Sequence, residues 1–422
     1  MPRRRPTQRL IELLCDASWL NRDRVAAWGL VLLVEEILLL GFIALWQHGV
    51  FTNIAAPTSS DFVSFYAAGK LALAGTPALA YDHAAHYLVQ QQATFEGAHY
   101  QYFFYPPVFL VLCAGLAKLP YAVAYVVFQV ATLGMFIAMM RNVLREHGWR
   151  WIPPLLAFPA VFWNLGLGQN AFLSAALFGG FTLLVDRRPR SAGVLLGMLC
   201  YKPHFGLLVP VALAFGRRWT AFFASAATMA ALVGVSVLLF GWHTWRVYLQ
   251  AFAGSNLVYA SGLIDFAGYV TPFGAARLLG FGPWPAYAMQ AIAALMMAGL
   301  IGLIWHRGMS QPLRTAALLT ATLLAVPLAL LYDKLLLLVA IGWLIREARE
   351  HGFLPWEKLL LTAVYPISLL TWVLGIGLHI PVGPMSSTAV LFLCIRRIWL
   401  ELSARAHAAP MPVPVQALGA TP

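Results

Sequence analysis

The stretch Tyr105-Pro106-Pro107-Val108-Phe109-Leu110-Val111-Leu112-Cys113-Ala114-Gly115-Leu116-Ala117-Lys118 decides the topology of this chain. Its apolar run is only about a dozen residues long, whereas a helix needs about 20 to cross the hydrocarbon layer. Proline is well tolerated in a first helical turn, so Tyr105-Pro106-Pro107 reads as a helix start. Counting the run as a span would move Arg141/Arg145, Arg187/Arg188 and Arg217/Arg218 to the outer side. Lysine and arginine collect in cytoplasmic loops, so that assignment fails. The run is therefore expected to be a helix lying partly in the outer face, inside one large external loop from Gln47 to Lys118.

The rest of the chain supports a membrane reading. Of its 422 residues, 61% are hydrophobic and only 10% charged, and the mean hydropathy is +0.74. Apolar runs recur along nearly the whole length, which gives an all-α polytopic membrane protein with the lipid bilayer as its surroundings. The net charge of +12 reads as cytoplasmic loops, with no nucleic-acid partner. Cys15, Cys113, Cys200 and Cys394 have neither disulfide nor zinc spacing. In residues 1–24, Leu10, Leu13, Leu14 and Ala17 share one helical face, which suggests a basic amphipathic segment on the cytoplasmic leaflet. A cleaved signal peptide is the weaker alternative, because the apolar run from Val25 to Trp46 is too long for one.

Twelve spans are expected, near 26–46, 119–140, 152–167, 169–186, 191–203, 204–215, 219–240, 284–305, 315–331, 334–346, 357–376 and 380–397. With Arg3, Arg4, Arg5, Arg9, Arg22 and Arg24 inside, most of the 28 basic residues fall in cytoplasmic turns and both termini are cytoplasmic. The expected organisation is a segment 1–24, a membrane domain 25–400 and a disordered tail 401–422. Within the membrane domain, external loops run over 47–118 and 241–283. The second loop carries Trp242, Trp245, Tyr248, Tyr259 and Tyr269. The short segments meeting at Tyr201-Lys202-Pro203-His204 put that hairpin tip below the outer surface.

This orientation gathers the polar residues on one face: Asp61, Tyr81-Asp82, Tyr105, Gly168-Gln169-Asn170, Tyr201-Lys202-Pro203-His204, Asp265 and Tyr332-Asp333-Lys334. No nucleotide-binding glycine pattern is present. A group-transfer enzyme on that side would take its donor from the membrane, and a sugar on a polyprenyl phosphate fits. The reaction needs a base, a cation for the departing phosphate and an apolar groove. Asp61 suits the base, and it equally suits a helix cap after Ser59 and Ser60. Lys202 suits a phosphate anchor, against snorkelling to the headgroups. Lys334 is either a second cation or the ion-pair partner of Asp333. Gln169 and Asn170 either face phosphate and sugar or cap a helix. His83, His86 and His99 read as structural surface histidines, and Glu35-Glu36 sits unexplained in the first span.

At these residues the chain resembles glycosyltransferase family 87, polyprenol-phosphate-mannose-dependent mannosyltransferases of the GT-C class. The matching text is Asp61-Phe62 with Tyr66, Ala68-Gly69 and Gly75, then Tyr81-Asp82, Tyr105-Pro106-Pro107 and Gly168-Gln169-Asn170. It continues through Asp186-Arg187-Arg188-Pro189, Tyr201-Lys202-Pro203, Gly216-Arg217-Arg218-Trp219 and Tyr332-Asp333, over roughly residues 55 to 345. The resemblance implies a GT-C fold with juxtamembrane helices in the first external loop, and Asp61 as catalytic base. It also implies inverting, metal-independent hexose transfer to an extracytoplasmic glycan or glycolipid acceptor at the cell (inner) membrane, with no cofactor. Donor contacts would come from Lys202, His204, Gln169, Asn170, Tyr105, Lys334 and Asp333. Tyr66, Tyr81, Asp82 and Asp265 would support the acceptor. Lys334 stands where relatives often carry an apolar residue, and 253–273 matches the family poorly. The rival reading is a lipid or sugar transporter, for which only Glu35-Glu36 speaks.

Overall fold

Apolar runs punctuated by proline and glycine fold here into a bundle of helices. The computed structural model describes residues 6–46, 60–263 and 265–408. The readings made for residues 1–5, for Ser59 and the loop before it, and for the tail from Ala409 lie outside that range, as does the side chain of Tyr259.

In chain order the helices are α1 (Pro6–Asp16), α2 (Arg22–Trp46), α3 (Phe62–Leu73), α4 (His83–Ala93), α5 (Pro107–Leu116) and α6 (Tyr121–Leu144). Next come α7 (Ile152–Leu156), α8 (Pro159–Leu167), α9 (Ala171–Leu184), α10 (Pro189–Met198), α11 (Val209–Phe215) and α12 (Trp219–Ser261). The series ends with α13 (Pro272–Leu278), α14 (Pro283–His306), α15 (Gln311–Ala325), α16 (Leu335–His351), α17 (Glu357–Leu378) and α18 (Met385–Ala408). Strands are absent among the described residues, where one isolated bridge pairs Tyr269 with Leu330.

Five of these helices have stretches long and apolar enough to cross a membrane: Arg22–Phe42, Tyr121–Leu144, Trp219–Gly254, Pro283–His306 and Glu357–Leu378. This is an α-helical membrane protein. Its outer helices leave large apolar side chains uncovered, among them Leu238 at 87% and Trp284 at 85% exposure, which suits contact with lipid tails. By contrast α15 and the first half of α16 are buried on all sides, as an apolar helix at the centre of a bundle should be.

The run that decides the topology forms α5, with Pro107 in its first turn. It packs against α3, and Gly69 is the reason the two come so close, because a methyl group there would overlap the Cys113 carbonyl. The Tyr66 hydroxyl, on the same helix, donates to the Leu119 carbonyl at 3.0 Å. The spacing of Asp61, Tyr66 and Gly69 thus places a helix start, an anchor and a contact point on one short helix.

Helix α18 continues to Ala408, inside the segment 401–422 expected to be a disordered tail. A second expectation changes at α12. The segment read as an external loop over 241–283 is helical as far as Ser261: the chain leaves helical geometry at Gly241 (φ 77°, ψ 155°), and a second helical stretch, kept here under the same label α12, starts directly after it. Glycine accepts that positive φ without steric cost, so one helix can stop and the next begin in a new direction within a single residue. The outer half of α12 lays Tyr248 against Tyr81 of the first loop, with ring centroids 5.5 Å apart.

The two ends of the bundle differ in chemistry. Helix α6 runs about 36 Å from Tyr121, beside Ser60, to Arg145, which pairs with Glu350 at 2.8 Å. At that second end Arg349 meets Glu146 at 2.5 Å, and Asp186 meets Arg218 and Arg314. Arg397 holds Glu357 through two bonds of 2.5 and 2.6 Å in a site where both are buried. Removing one partner of a buried pair strands the other charge, so Glu357→Gln should cost about 3–5 kcal/mol of stability. A melting temperature unchanged by that substitution would contradict the packing described.

Candidate functional site

The site grows from a turn between two helices. Helix α8 ends at Gly168, whose φ of 68° lies in the left-handed region. A Cβ there would sit 2.6 Å from the Tyr125 ring and 2.7 Å from Phe62, so both backbone and space demand glycine. The Asn164 side chain accepts from the Ala171 N–H at 2.9 Å and donates to Gln129 at 3.0 Å. Gln129 in turn donates to the Gln169 carbonyl at 3.0 Å. This buried amide network fixes the direction of the Gln169 side chain.

Gln169 Nε2 donates to Asp61 Oδ2 at 2.7 Å. Asp61 precedes α3 but makes no side-chain cap bond, and the Ser64 hydroxyl caps its carbonyl instead at 2.7 Å. The carboxylate is therefore free of the capping role and is held against the bundle. Burial raises its pKa from the usual carboxylate range to about 6, against the lowering effect of the Gln169 hydrogen bond. Removing water penalises the charged form more than one amide donor restores it.

From Gln169 the cluster continues inward. The Tyr105 hydroxyl donates to Gln169 Oε1 at 3.4 Å, and the Asn170 carboxamide lies beside it, fully buried and without a hydrogen bond of ordinary geometry. Burial first, and the neighbouring Asp333 next, push the Tyr105 phenol well above its ordinary pKa, and Asp61 adds to the same effect. Tyr105 thus stands between the two carboxylates. Tyr201 stacks on Phe109 at 5.0 Å and shares a 2.8 Å hydrogen bond with Ser174.

Lys202 Nζ donates to Asp333 Oδ1 at 2.9 Å, with both side chains about 5% exposed. Its ammonium also lies over the rings of Phe205 and Tyr332, each at 5.3 Å. Asp333 Oδ2 accepts from the Leu330 N–H at 3.0 Å, which locks the carboxylate in place. The alternative pairing of Asp333 with Lys334 is not the one formed. Lys334 Nζ donates to the Thr371 hydroxyl at 3.1 Å and to Ser368 at 3.5 Å on α17. Consecutive residues of a helical turn diverge in direction, so Asp333 and Lys334 face different neighbours.

The remaining expected site residues serve local structure. Tyr81 donates to the Tyr105 carbonyl at 3.0 Å. Asp82 caps α4 through the Ala85 N–H at 2.9 Å, and Asp265 caps the turn at Ala267 at 2.9 Å. His204 packs edge-on to Phe205, with centroids 4.4 Å apart. Of the three loop histidines, His83 and His99 are exposed but His86 is fully buried. Its Nε2 bonds the Ser64 carbonyl at 3.0 Å and its Nδ1 bonds Tyr100 at 3.2 Å. Burial lowers its pKa to about 4, which keeps it neutral. The sequence reading missed Gln129 and Asn164, whose signal was an uncompensated amide inside an apolar run. In the first span, Glu36 is buried while Glu35 is exposed.

The family model for glycosyltransferase family 87 matches residues 103–331, more than half of the chain. The chain belongs to glycosyltransferase family 87. Neither the curated proteins nor the solved structures include a match to it. The matched region of this glycosyltransferase holds Tyr105, Gln169, Asn170, Lys202 and His204. Asp61 lies before it and enters the cluster through Gln169, while Asp333 lies just beyond its end.

Replacing Asp333 by Asn in this glycosyltransferase keeps the acceptor for Leu330 but leaves Lys202 buried and unpaired. The expected loss is about 3–5 kcal/mol, read as a lowered melting temperature, and most of it should return in the Lys202→Met/Asp333→Asn double variant. A double variant no more stable than the single one would contradict the pairing.

Proposed function

We propose that this glycosyltransferase moves a hexose, mannose or a related sugar, from a polyprenyl-phosphate donor to a glycan or glycolipid acceptor with inversion. The proposed setting is a GT-C fold of about twelve spans in the cell (inner) membrane. The five long helices would be completed by the shorter apolar ones. Both termini would be cytoplasmic and the Asp61 end of the bundle extracytoplasmic. The observation that carries the reading is the continuous line of polar groups from Asp61 through Gln169 and Tyr105 to Asp333 and Lys202.

In this reading the acceptor hydroxyl gives its proton to the Asp61 carboxylate as its oxygen bonds to the anomeric carbon. The bond from that carbon to the phosphate oxygen breaks on the opposite face. Polyprenyl phosphate leaves with the electron pair, towards the Lys202 ammonium. Asp333 positions that ammonium, and Gln169 aims the base. Asn170, His204 and the Tyr105 hydroxyl are near enough to the line to contact the donor phosphate or sugar. Asp61, with a pKa of about 6, is largely ionised at neutral pH yet more basic than an ordinary carboxylate, which suits a general base. No cofactor is called for. A transporter places its substrate groups near the midplane of the membrane, and the polar line at one end of the bundle favours transfer over transport.

Asp61→Asn should lower transfer from a labelled polyprenyl-phosphate sugar about 10²–10⁴-fold while leaving donor binding intact. The melting temperature should not fall, because the substitution removes a desolvated charge. Turnover close to wild type would eliminate Asp61 as the base. In the active enzyme kcat/KM should decline as the pH drops through about 6, because protonated Asp61 cannot accept the proton. Gln169→Leu should move that decline to higher pH, since its hydrogen bond favours the ionised carboxylate; a decline unmoved by the substitution would contradict the Gln169 role.

A further inference from the structure

A cavity of about 360 Å³ opens at the arginine end of the bundle, lined by Phe215, Arg217, Arg218, Trp305, His306 and Arg314 with two flanking glycines. It lies at the far end of α9 from Asn170 and the Asp61 cluster, about 21 Å along the helix axis. Two of the family motifs meet beside it, because the Asp186 carboxylate bridges Arg218, at 2.6 Å, and Arg314. One carboxylate against three guanidiniums leaves positive charge in excess. A further acid that acts on Arg314, Glu401, is engaged by Arg405 at 2.5 Å and by the Ser310 N–H.

Two buried donors on the cavity wall have no hydrogen-bond partner among the described residues. They are Arg314 Nε and Trp305 Nε1, on residues 8% and 2% exposed. Buried polar groups are nearly always satisfied in folded proteins, so two orphans on one cavity point to an acceptor from outside the chain. Arg314 is also fixed by its stacking over Trp305 at 5.2 Å. Arg217 is exposed and holds a left-handed backbone at φ 54°, a conformation that non-glycine residues adopt at a cost and that clusters at functional sites.

We propose that the Arg217–Arg218–Arg314 cavity binds a phosphate group, either on an anionic phospholipid headgroup or as a free phosphate. Guanidinium groups present paired N–H donors to phosphate oxygens, and basic pockets between membrane helices hold anionic headgroups. The volume accommodates such a group, and the orphan donors of Arg314 and Trp305 would complete its coordination. This site is separate from the transfer chemistry and does not depend on it.

The test uses the full chain in two arms. In the first, the protein is placed in nanodiscs of phosphatidylcholine, with and without phosphatidylglycerol, and melting temperature and retained lipid are measured. In the second, the protein in uncharged detergent is titrated with inorganic phosphate at constant ionic strength. Arg217→Gln tests the cavity without disturbing packing, and Arg141→Gln, an exposed arginine at the same end, serves as control. A saturable response is expected in at least one arm, weakened about tenfold by Arg217→Gln through loss of a charge-assisted contact and unchanged by Arg141→Gln. Response to phosphatidylglycerol alone identifies a headgroup site, and response to phosphate identifies a free-anion site. No saturable response in either arm, or one that the two variants weaken equally or not at all, overturns the proposal.

Discussion

The hydrogen bond from Gln169 to Asp61 joins two parts of the chain that are distant in sequence. One side is a short helix in the segment between α2 and α6, and the other is a turn fixed by Gly168 and a buried amide network. Without that bond Asp61 would be a carboxylate at a helix start, free to cap it. With it, the carboxylate is drawn against the bundle, where loss of water outweighs the donor and leaves the group unusually basic. Position therefore comes from that contact and basicity from the burial around it, which the hydrogen bond partly offsets.

The second constraint is the pairing of Lys202 with Asp333. Burying two charges is costly, and such a pair stabilises a fold less than well-packed apolar residues would. Its location beside Tyr105 and Tyr332, with Asp333 further fixed by the Leu330 amide, is where the proposed transfer needs a positioned cation. Tyr105 senses both carboxylates, which ties the two constraints into one electrostatic unit. The opposite end of the bundle has a different character, with arginine–carboxylate pairs tying neighbouring helices together and a cavity whose donors outnumber its acceptors.

Much of the architecture was legible because it is local. The helix start at Pro107, the short length of α5, and the apolar runs of α2, α6, α14 and α17 follow from proline preference and segment length. The break at Gly241 falls where the span expected over 219–240 ends, but a glycine alone carries no sign that a second helical stretch follows at once. Asp61, Gln169 and Lys202 could be picked out as polar residues in apolar surroundings. Their partners could not, because a pairing across 108 residues for Asp61 and Gln169, or 131 for Lys202 and Asp333, leaves no periodic trace in the chain. The same holds for His86, whose burial depends on the Tyr100 and Ser64 contacts rather than on its neighbours in sequence.

The most direct test of the central claim is a structure of the protein with a polyprenyl-phosphate sugar bound. The account predicts the phosphate within hydrogen-bonding distance of Lys202 and the anomeric carbon facing Asp61, with room for an acceptor oxygen between them. A phosphate bound away from Lys202, or a sugar whose anomeric carbon is turned from Asp61, would contradict it.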